Sequence, residues 1–467
     1  MSSSNESSDL VRVLARKDVL ALAFGAMIGW GWIVLTGNFI VNAGSMGAIV
    51  AFLIGGAAVV LVGLTYAELA AAMPKVGGEH VYSYRALGHF ASFICTWSIV
   101  LGYISVVAFE AVALPTVVES LFPGYSVGHL WTLSGWDVKL TWVLVGVVGS
   151  LIMMAINYFG VTMAALIQRL VTLLILAVGV LFITGALFTG ETTTLQPLFT
   201  GGSGGIMSVL IMVPFLFVGF DVIPQAAEEI NLPFRDIGRV LTLSVILAVV
   251  WYALIVFGTS LMMPASSLGG GVLAVPAAME QVFQAPWASK LMILAGVAGI
   301  ITSWNAFYIG GSRAIYALAH AGMLPAPLAK LHPKYRTPTN AIILIGVLSS
   351  LAPLLGRPAM VWLVDAGGLG IVIAYLFVAL SFLVLRVREP DMPRPFFVRQ
   401  GKLVGVLAVL LSIGMTGLYL PFSPSALTST EWLVFGLWML AGLAMYVWAL
   451  KTYGKGYAER VMTREYH

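Results

Sequence analysis

The sequence predicts an all-α integral membrane protein with twelve membrane spans. Composition, the lengths of the apolar runs and the placement of positive charge each point that way. The 467 residues are 60% hydrophobic and only 9% charged, whereas an ordinary soluble domain carries about 25% charged residues. So few charges cannot cover a water-soluble globule of this size, and the apolar excess calls for lipid. A membrane helix needs ~20 mostly apolar residues to cross ~30 Å of hydrocarbon. Such runs lie near 19–45, 46–73, 90–121, 140–160, 167–189, 206–230, 238–263, 288–320, 339–356, 360–386, 402–422 and 430–450. The ninth and tenth are parted only by Gly356, Arg357 and Pro358.

Charge orients these runs. With the N-terminus on the cytoplasmic side and strict alternation, 21 of the 24 Lys and Arg fall in cytoplasmic segments. They run from Arg12, Arg16 and Lys17 to Lys451, Lys455, Arg460 and Arg464, and only Lys139, Lys290 and Arg357 lie outside. A miscount by one span would scramble that partition, so the positive-inside rule supports twelve spans with both termini inside. Residues 1–17 and 452–467 are then cytoplasmic tails. The plasma membrane, a bacterial inner membrane, is the expected location.

Several function classes fall away. The net charge of +4 sits in short clusters between apolar runs, as topology requires, and gives no nucleic-acid footprint. One cysteine, Cys95, permits no disulfide within the chain. The six His (His80, His89, His129, His320, His332 and His467) show no tight metal-ligand spacing, so no metal is expected. No Gly-rich phosphate loop with Lys is present, so no nucleotide or other cofactor is expected. A membrane-embedded enzyme would need a nucleophile–base pair, and a channel would need a continuous polar lining; neither is evident. The long first apolar run, followed by others, argues against a cleavable leader.

Along the chain, two spans carry residues that interrupt helices. The first reads Gly25-Ala26-Met27-Ile28-Gly29-Trp30-Gly31, and each glycine costs a helix ~1 kcal/mol relative to Ala. The sixth holds Pro214, Gly219, Asp221 and Pro224, and proline removes a backbone donor and clashes with the preceding turn. Under the alternating topology these two spans run in opposite directions. Corresponding breaks in antiparallel spans are the signature of inverted repeats, with the binding site at the breaks. Glycines that merely allow close helix packing are the competing explanation.

Four stretches in order then resemble the amino acid–polyamine–organocation permeases. They are Gly29-Trp30-Gly31, the run from Thr65-Tyr66-Ala67-Glu68-Leu69 through Pro74 to Gly77-Gly78-Glu79-His80, the sixth-span Phe217-Val218-Gly219-Phe220-Asp221 followed by Ala227-Glu228-Glu229, and Ser312-Arg313 through Gly322 to Thr337-Pro338. The resemblance implies a leucine-transporter-like five-plus-five inverted repeat with two additional C-terminal helices. Its boundaries would be 18–190 for the first repeat, 206–387 for the second and 388–451 for the last two spans. It also implies secondary active import of an amino acid or small amine by alternating access. Proton coupling is the leading expectation, sodium the other candidate ion, and ion-independent exchange the alternative mechanism. Two departures stand out: Trp30 replaces a small residue between the glycines, and the fifth span carries Leu173-Leu174-Ile175-Leu176 where proton-coupled relatives can carry a lysine.

Candidate site residues follow. Met27, Ile28, Gly29, Trp30 and Gly31 of the first break, Phe217, Gly219, Phe220 and Asp221 of the sixth, and Tyr103 and Glu110 of the third span are expected around the substrate. An intramembrane acid is a functional candidate by default. Glu110 and Asp221 are therefore the proton candidates, each with a bland alternative as a hydrogen-bonded carboxyl or a helix cap. Thr302 and Ser303 are ion-site candidates, although hydroxyls often bond a carbonyl one turn back. Asp365, in the tenth span, is expected to be structural. Glu68, Arg85, Glu228, Glu229 and Arg313 lie near the cytoplasmic ends as candidates for an inner gate.

Overall fold

The computed structural model describes residues 12–268, 273–423, 425–454, 456–457 and 460–461. The predicted tail over 1–11, much of the C-terminal tail, and Lys455, Arg464 and His467 lie outside the described residues. The first run folds as α1 (Arg16–Met27), α2 (Gly31–Val34) and α3 (Thr36–Ala43). Next come α4 (Ser45–Ala72), the short α5 (Glu79–Leu87) and α6 (His89–Leu121). A hairpin of β1 (His129–Leu133) and β2 (Trp136–Lys139) precedes α7 (Leu140–Tyr158) and α8 (Val161–Thr189). The sixth run is divided into α9 (Gly202–Leu210), α10 (Val213–Phe217) and α11 (Val222–Gln225). After it lie α12 (Phe234–Met262), α13 (Ala274–Phe283), α14 (Pro286–His320), α15 (Thr339–Leu351), α16 (Ala359–Arg388), α17 (Gly401–Leu418) and α18 (Ser429–Tyr453).

Among the described residues eleven of these runs are long and apolar enough to cross a membrane, and Thr339–Leu355 is a shorter apolar helix. That short one was expected at 339–356. It ends in a 3₁₀ turn at Ala352–Leu355 and reverses at Gly356, whose φ of 71° suits glycine. The hairpin corrects the all-α expectation. Its two-residue loop places Ser134 and Gly135 at φ 50° and 76°, the left-handed pair that matches strand twist in tight hairpins.

Both interruptions read from the sequence are present. Ile28 leaves helical geometry at φ −109°, ψ 47°. Val218 is extended, at φ −61°, ψ 140°, and Gly219 takes φ 135°. The two breaks touch: a methyl placed on Gly219 would sit 2.6 Å from the Ala26 Cβ. The longest helices form the scaffold around them, with α6 packed on α16 and α14, and α4 packed on α12.

The helix ends fall into two groups. One end carries the Arg-rich segments and is called the basic end below. There the chain before α1 is bonded to the chain after α11: the Val13 and Leu14 N–H groups donate to the Glu229 carbonyl at 3.0 and 2.9 Å, and Asn231 N–H donates to the Leu14 carbonyl. The other end carries the hairpin and a cavity of about 630 Å³, lined in part by Asn38, Phe109, Trp136, Arg357 and Asp365.

Candidate functional site

Glu110 reaches from α6 to the first break. Its Oε1 accepts the Trp30 N–H at 3.4 Å and the Ser303 hydroxyl of α14. Its Oε2 has no hydrogen-bond partner among the described residues, although the side chain is buried. Gly29 makes this approach possible, because a methyl there would lie 2.5 Å from Glu110 Oε1 and 2.7 Å from Ser303 Oγ. The carbonyls of Ile28 and Gly29 press equally close to Gly299 of α14. Gly29→Ala is therefore expected to abolish transport while leaving protein in the membrane. The same exchange at Gly436, where a methyl meets nothing within 4 Å, should have little effect. Parallel uptake and size-exclusion profiles of the two variants check this.

The remaining first-break residues are packed rather than open. The Met27 carbonyl accepts the Tyr252 hydroxyl of α12 at 3.0 Å. A methyl on Gly31 would come 2.6 Å from Leu216. Trp30 is fully buried, its ring against Gly296 of α14. The indole is wedged between the break and α14 and is absent from the cavity wall. In the sixth run, Phe217 packs on Phe52 and Tyr252, and Phe220 packs on Tyr66 and Tyr375.

Asp221 holds the second break together. Its Oδ1 accepts the Gly219 N–H at 2.7 Å and its Oδ2 accepts the Tyr103 hydroxyl at 3.0 Å. It makes no bond to the N–H groups of α11, so the acid fixes the unwound turn rather than capping the following helix. Tyr103 thereby belongs to the same cluster.

Thr302 and Ser303 divide. Thr302 bonds back to the Gly299 carbonyl at 2.8 Å, whereas Ser303 serves Glu110. Beside them lies a network of neutral amides that the sequence reading did not pick out as a unit. Gln168 of α8 donates to the Ala21 carbonyl at 3.1 Å, Asn305 donates to Gln168, and Asn157 donates to Asn305. These bonds tie α1, α7, α8 and α14 together and occupy a carbonyl of the first helix. The signal was a neutral polar residue, Gln168, near the start of the fifth span.

The five gate candidates separate into distinct contacts. Arg313 and Glu229 form a buried bidentate pair at 3.1 and 2.8 Å, 1% and 3% exposed. Glu228 accepts the Val76 N–H at 3.4 Å. Glu68 instead pairs with Arg386 and Arg394 and accepts the Val398 N–H. Arg85 pairs with Glu389 in a half-exposed contact at 2.6 Å. Glu68 and Arg85 therefore fasten the segment between α16 and α17 and do not face the Arg313–Glu229 pair.

At the opposite end Phe109 lines the cavity and meets Phe215 edge-on, with centroids 5.6 Å apart. Asp365 and Arg357 line the cavity wall. Among the described residues no group of three or more His, Cys, Asp and Glu is placed to hold a metal. The arrangement is a packed polar cluster at two helix breaks, with a buried ion pair toward the basic end and the Phe109–Phe215 ring pair toward the cavity.

Comparison with known proteins gives this geometry a context. A family model described as amino acid permease matches residues 14–445. The branched-chain amino acid permease BcaP of Bacillus subtilis is 29% identical over 95% of this chain and 94% of its own length. The methylthioribose transporter of the same organism is 25% identical over 96% and 95%. Its aspartate-proton symporter is 25% identical over 85% and 77%.

Proposed function

Because the chain belongs to the amino acid permease family, within the amino acid–polyamine–organocation superfamily, we propose that it imports an amino acid or small amine by alternating access, driven by protons through Glu110. One observation carries the reading. A buried carboxyl from the scaffold helix α6 sits on a backbone N–H of the first break, with its second oxygen unpartnered. A substrate carboxylate bound at that break competes for the same donor and repels an ionised Glu110. A proton on Glu110 removes the repulsion, so proton and substrate bind together and leave together.

Three further features support the proposal. The breaks meet at Gly219 and Ala26, where discontinuous helices of transporters hold their cargo. Counting Thr339–Leu355 as a ninth crossing gives twelve, with repeats over 18–190 and 206–387 and two added helices over 388–451. The basic end then faces the cytoplasm of a cell whose plasma membrane holds the protein. Sodium fits less well than protons. The Ala21 carbonyl, which a cation between the first and eighth spans would use, already accepts the Gln168 amide.

In this state the basic end is closed by Arg313–Glu229, and the 630 Å³ cavity lies on the outer side. Proteoliposome uptake tests the proposal with radiolabelled L-leucine, L-arginine and L-aspartate, with and without an inward proton gradient. Gradient-driven accumulation of one of them is the expected result. Uptake that requires internal counter-substrate and ignores the gradient would replace it with exchange.

A further inference from the structure

A second buried acid lies between the sixth-run break and the basic end. Glu79 opens α5, the short helix after the turn at Gly77 and Gly78, where φ is 92° and 37°. Its side chain is fully buried. Among the described residues no Lys, Arg or His pairs with it, and it accepts a hydrogen bond from the Gln225 side chain at the end of α11. Its other oxygen has no close donor, and the Tyr66 hydroxyl stands within weaker reach of the carboxyl. The Gln225 oxygen and the Tyr375 hydroxyl are likewise buried without close hydrogen-bond partners.

The groups facing Glu79 come from every neighbouring element. They are Tyr66 of α4, Tyr82 of its own helix, Cys95 and Tyr103 of α6, Asp221 before α11 with Gln225 on it, and Tyr375 of α16. None is a cation. His80, the next residue, is held neutral by burial, which lowers it to about 3, with His89 and His320 adding to the effect. Two carboxyls, Asp221 and Glu79, thus share a closed space with no positive charge. Asp221 has both oxygens bonded, whereas Glu79 has one. An unpaired buried carboxylate is too costly to keep, so the charge-free form belongs on Glu79.

The contacts of α5 say when that proton leaves. Gly77 N–H donates to the Gln225 carbonyl at 3.4 Å, a methyl on Gly78 would press on Pro224 at 2.9 Å, and Val76 N–H reaches Glu228. The stretch from Val76 to Glu79 is a clasp on the inner half of the sixth run, next to the Arg313–Glu229 pair. A parting of α11 from α5 would take Gln225 off Glu79 and open the carboxyl to water.

We propose that Glu79 is a second proton-carrying carboxyl of the transport cycle, which gives its proton to cytoplasmic water when α11 parts from α5. The step breaks the Glu79 O–H bond, the electron pair stays on the carboxylate, and the proton goes to water. Burial, and after it the Asp221 carboxylate, pushes the Glu79 carboxyl well above its usual range, as a proton carrier requires.

This inference rests on the proton-coupled reading above. The test measures protons moved per substrate in proteoliposomes, using whichever of L-leucine, L-arginine or L-aspartate the wild type accumulates. Glu79→Gln keeps an acceptor for Gln225 and should lower the ratio by one proton, while substrate exchange remains measurable and reports folded protein. Should that variant fail to fold, Gln225→Leu removes the donor to the carboxylate and should move the pH midpoint of uptake upward. A purely structural role would not shift that midpoint. A gradient-driven wild type whose ratio survives Glu79→Gln, or whose midpoint survives Gln225→Leu, overturns this inference alone. A wild type indifferent to the gradient overturns the parent reading and this one together.

Discussion

Glu110→Gln is expected to remove one proton's worth of concentrative uptake while sparing exchange. A gradient of one pH unit is worth ~1.4 kcal/mol per proton, or about tenfold accumulation. The proton carried through Glu110 should therefore contribute about a tenfold factor, and the variant should accumulate less than wild type by about that factor. Glutamine retains an acceptor for the Trp30 N–H and the Ser303 hydroxyl, so the break should keep its shape. It also mimics the protonated acid, so substrate should still bind and exchange. The measurement is steady-state accumulation with and without the gradient, beside exchange in preloaded vesicles. Equal gradient-driven accumulation by variant and wild type would remove Glu110 from the coupling step.

The second large effect concerns the inner seal. Arg313→Gln leaves Glu229 buried without its cation. Breaking a buried pair in this way costs about 3–5 kcal/mol, a shift of roughly 10²–10³-fold in a two-state equilibrium. On the alternating-access reading proposed above, the pair that joins the segment after α11 to α14 parts when the basic end opens, so the closed state bears that cost. The variant should therefore rest with its basic end open. A cysteine at Val76, introduced after Cys95→Ala, should react with an impermeant maleimide faster in the Arg313→Gln background when the basic end is presented. Adding Glu229→Gln should recover part of the closed population, since replacing both partners is far less costly than removing one. Unchanged labelling in the single variant would show that the pair does not bias the states.

The broken spans were legible because they violate a strong rule. A long apolar run has no local reason to hold Gly29 beside Gly31, or Gly219 and Asp221 between Pro214 and Pro224. Each interruption must therefore be compensated by something nearby. Glu110 was legible for the same reason. The partners of the end-lying charges were not. Whether Glu68 meets Arg85 or Arg386 depends on how residues 389–398 fold back against α4, which no run of hydrophobicity encodes. Glu79 was hidden by its position just past a span, where an acid normally meets water. Only the closure of α5 against Gln225 removes it from solvent. Gln168 was hidden by being neutral, and its weight comes from the four helices that its network joins. The hairpin was hidden because its aromatic strands are too short to outweigh their apolar neighbours.

The stitch that joins residues 13–14 to the Glu229 carbonyl and returns from Asn231 to Leu14 has a mechanical consequence. It yokes two arms that are far apart in the chain, so neither is free to swing while the other stays. On the alternating-access reading proposed above, such a yoke should disfavour states in which one arm has moved alone, by about 1 kcal/mol per bond broken. Lengthening the chain ahead of Val13 should leave the yoke intact, whereas prolines at 13 and 14, which lack the two N–H groups, should release it and let the arms drift separately.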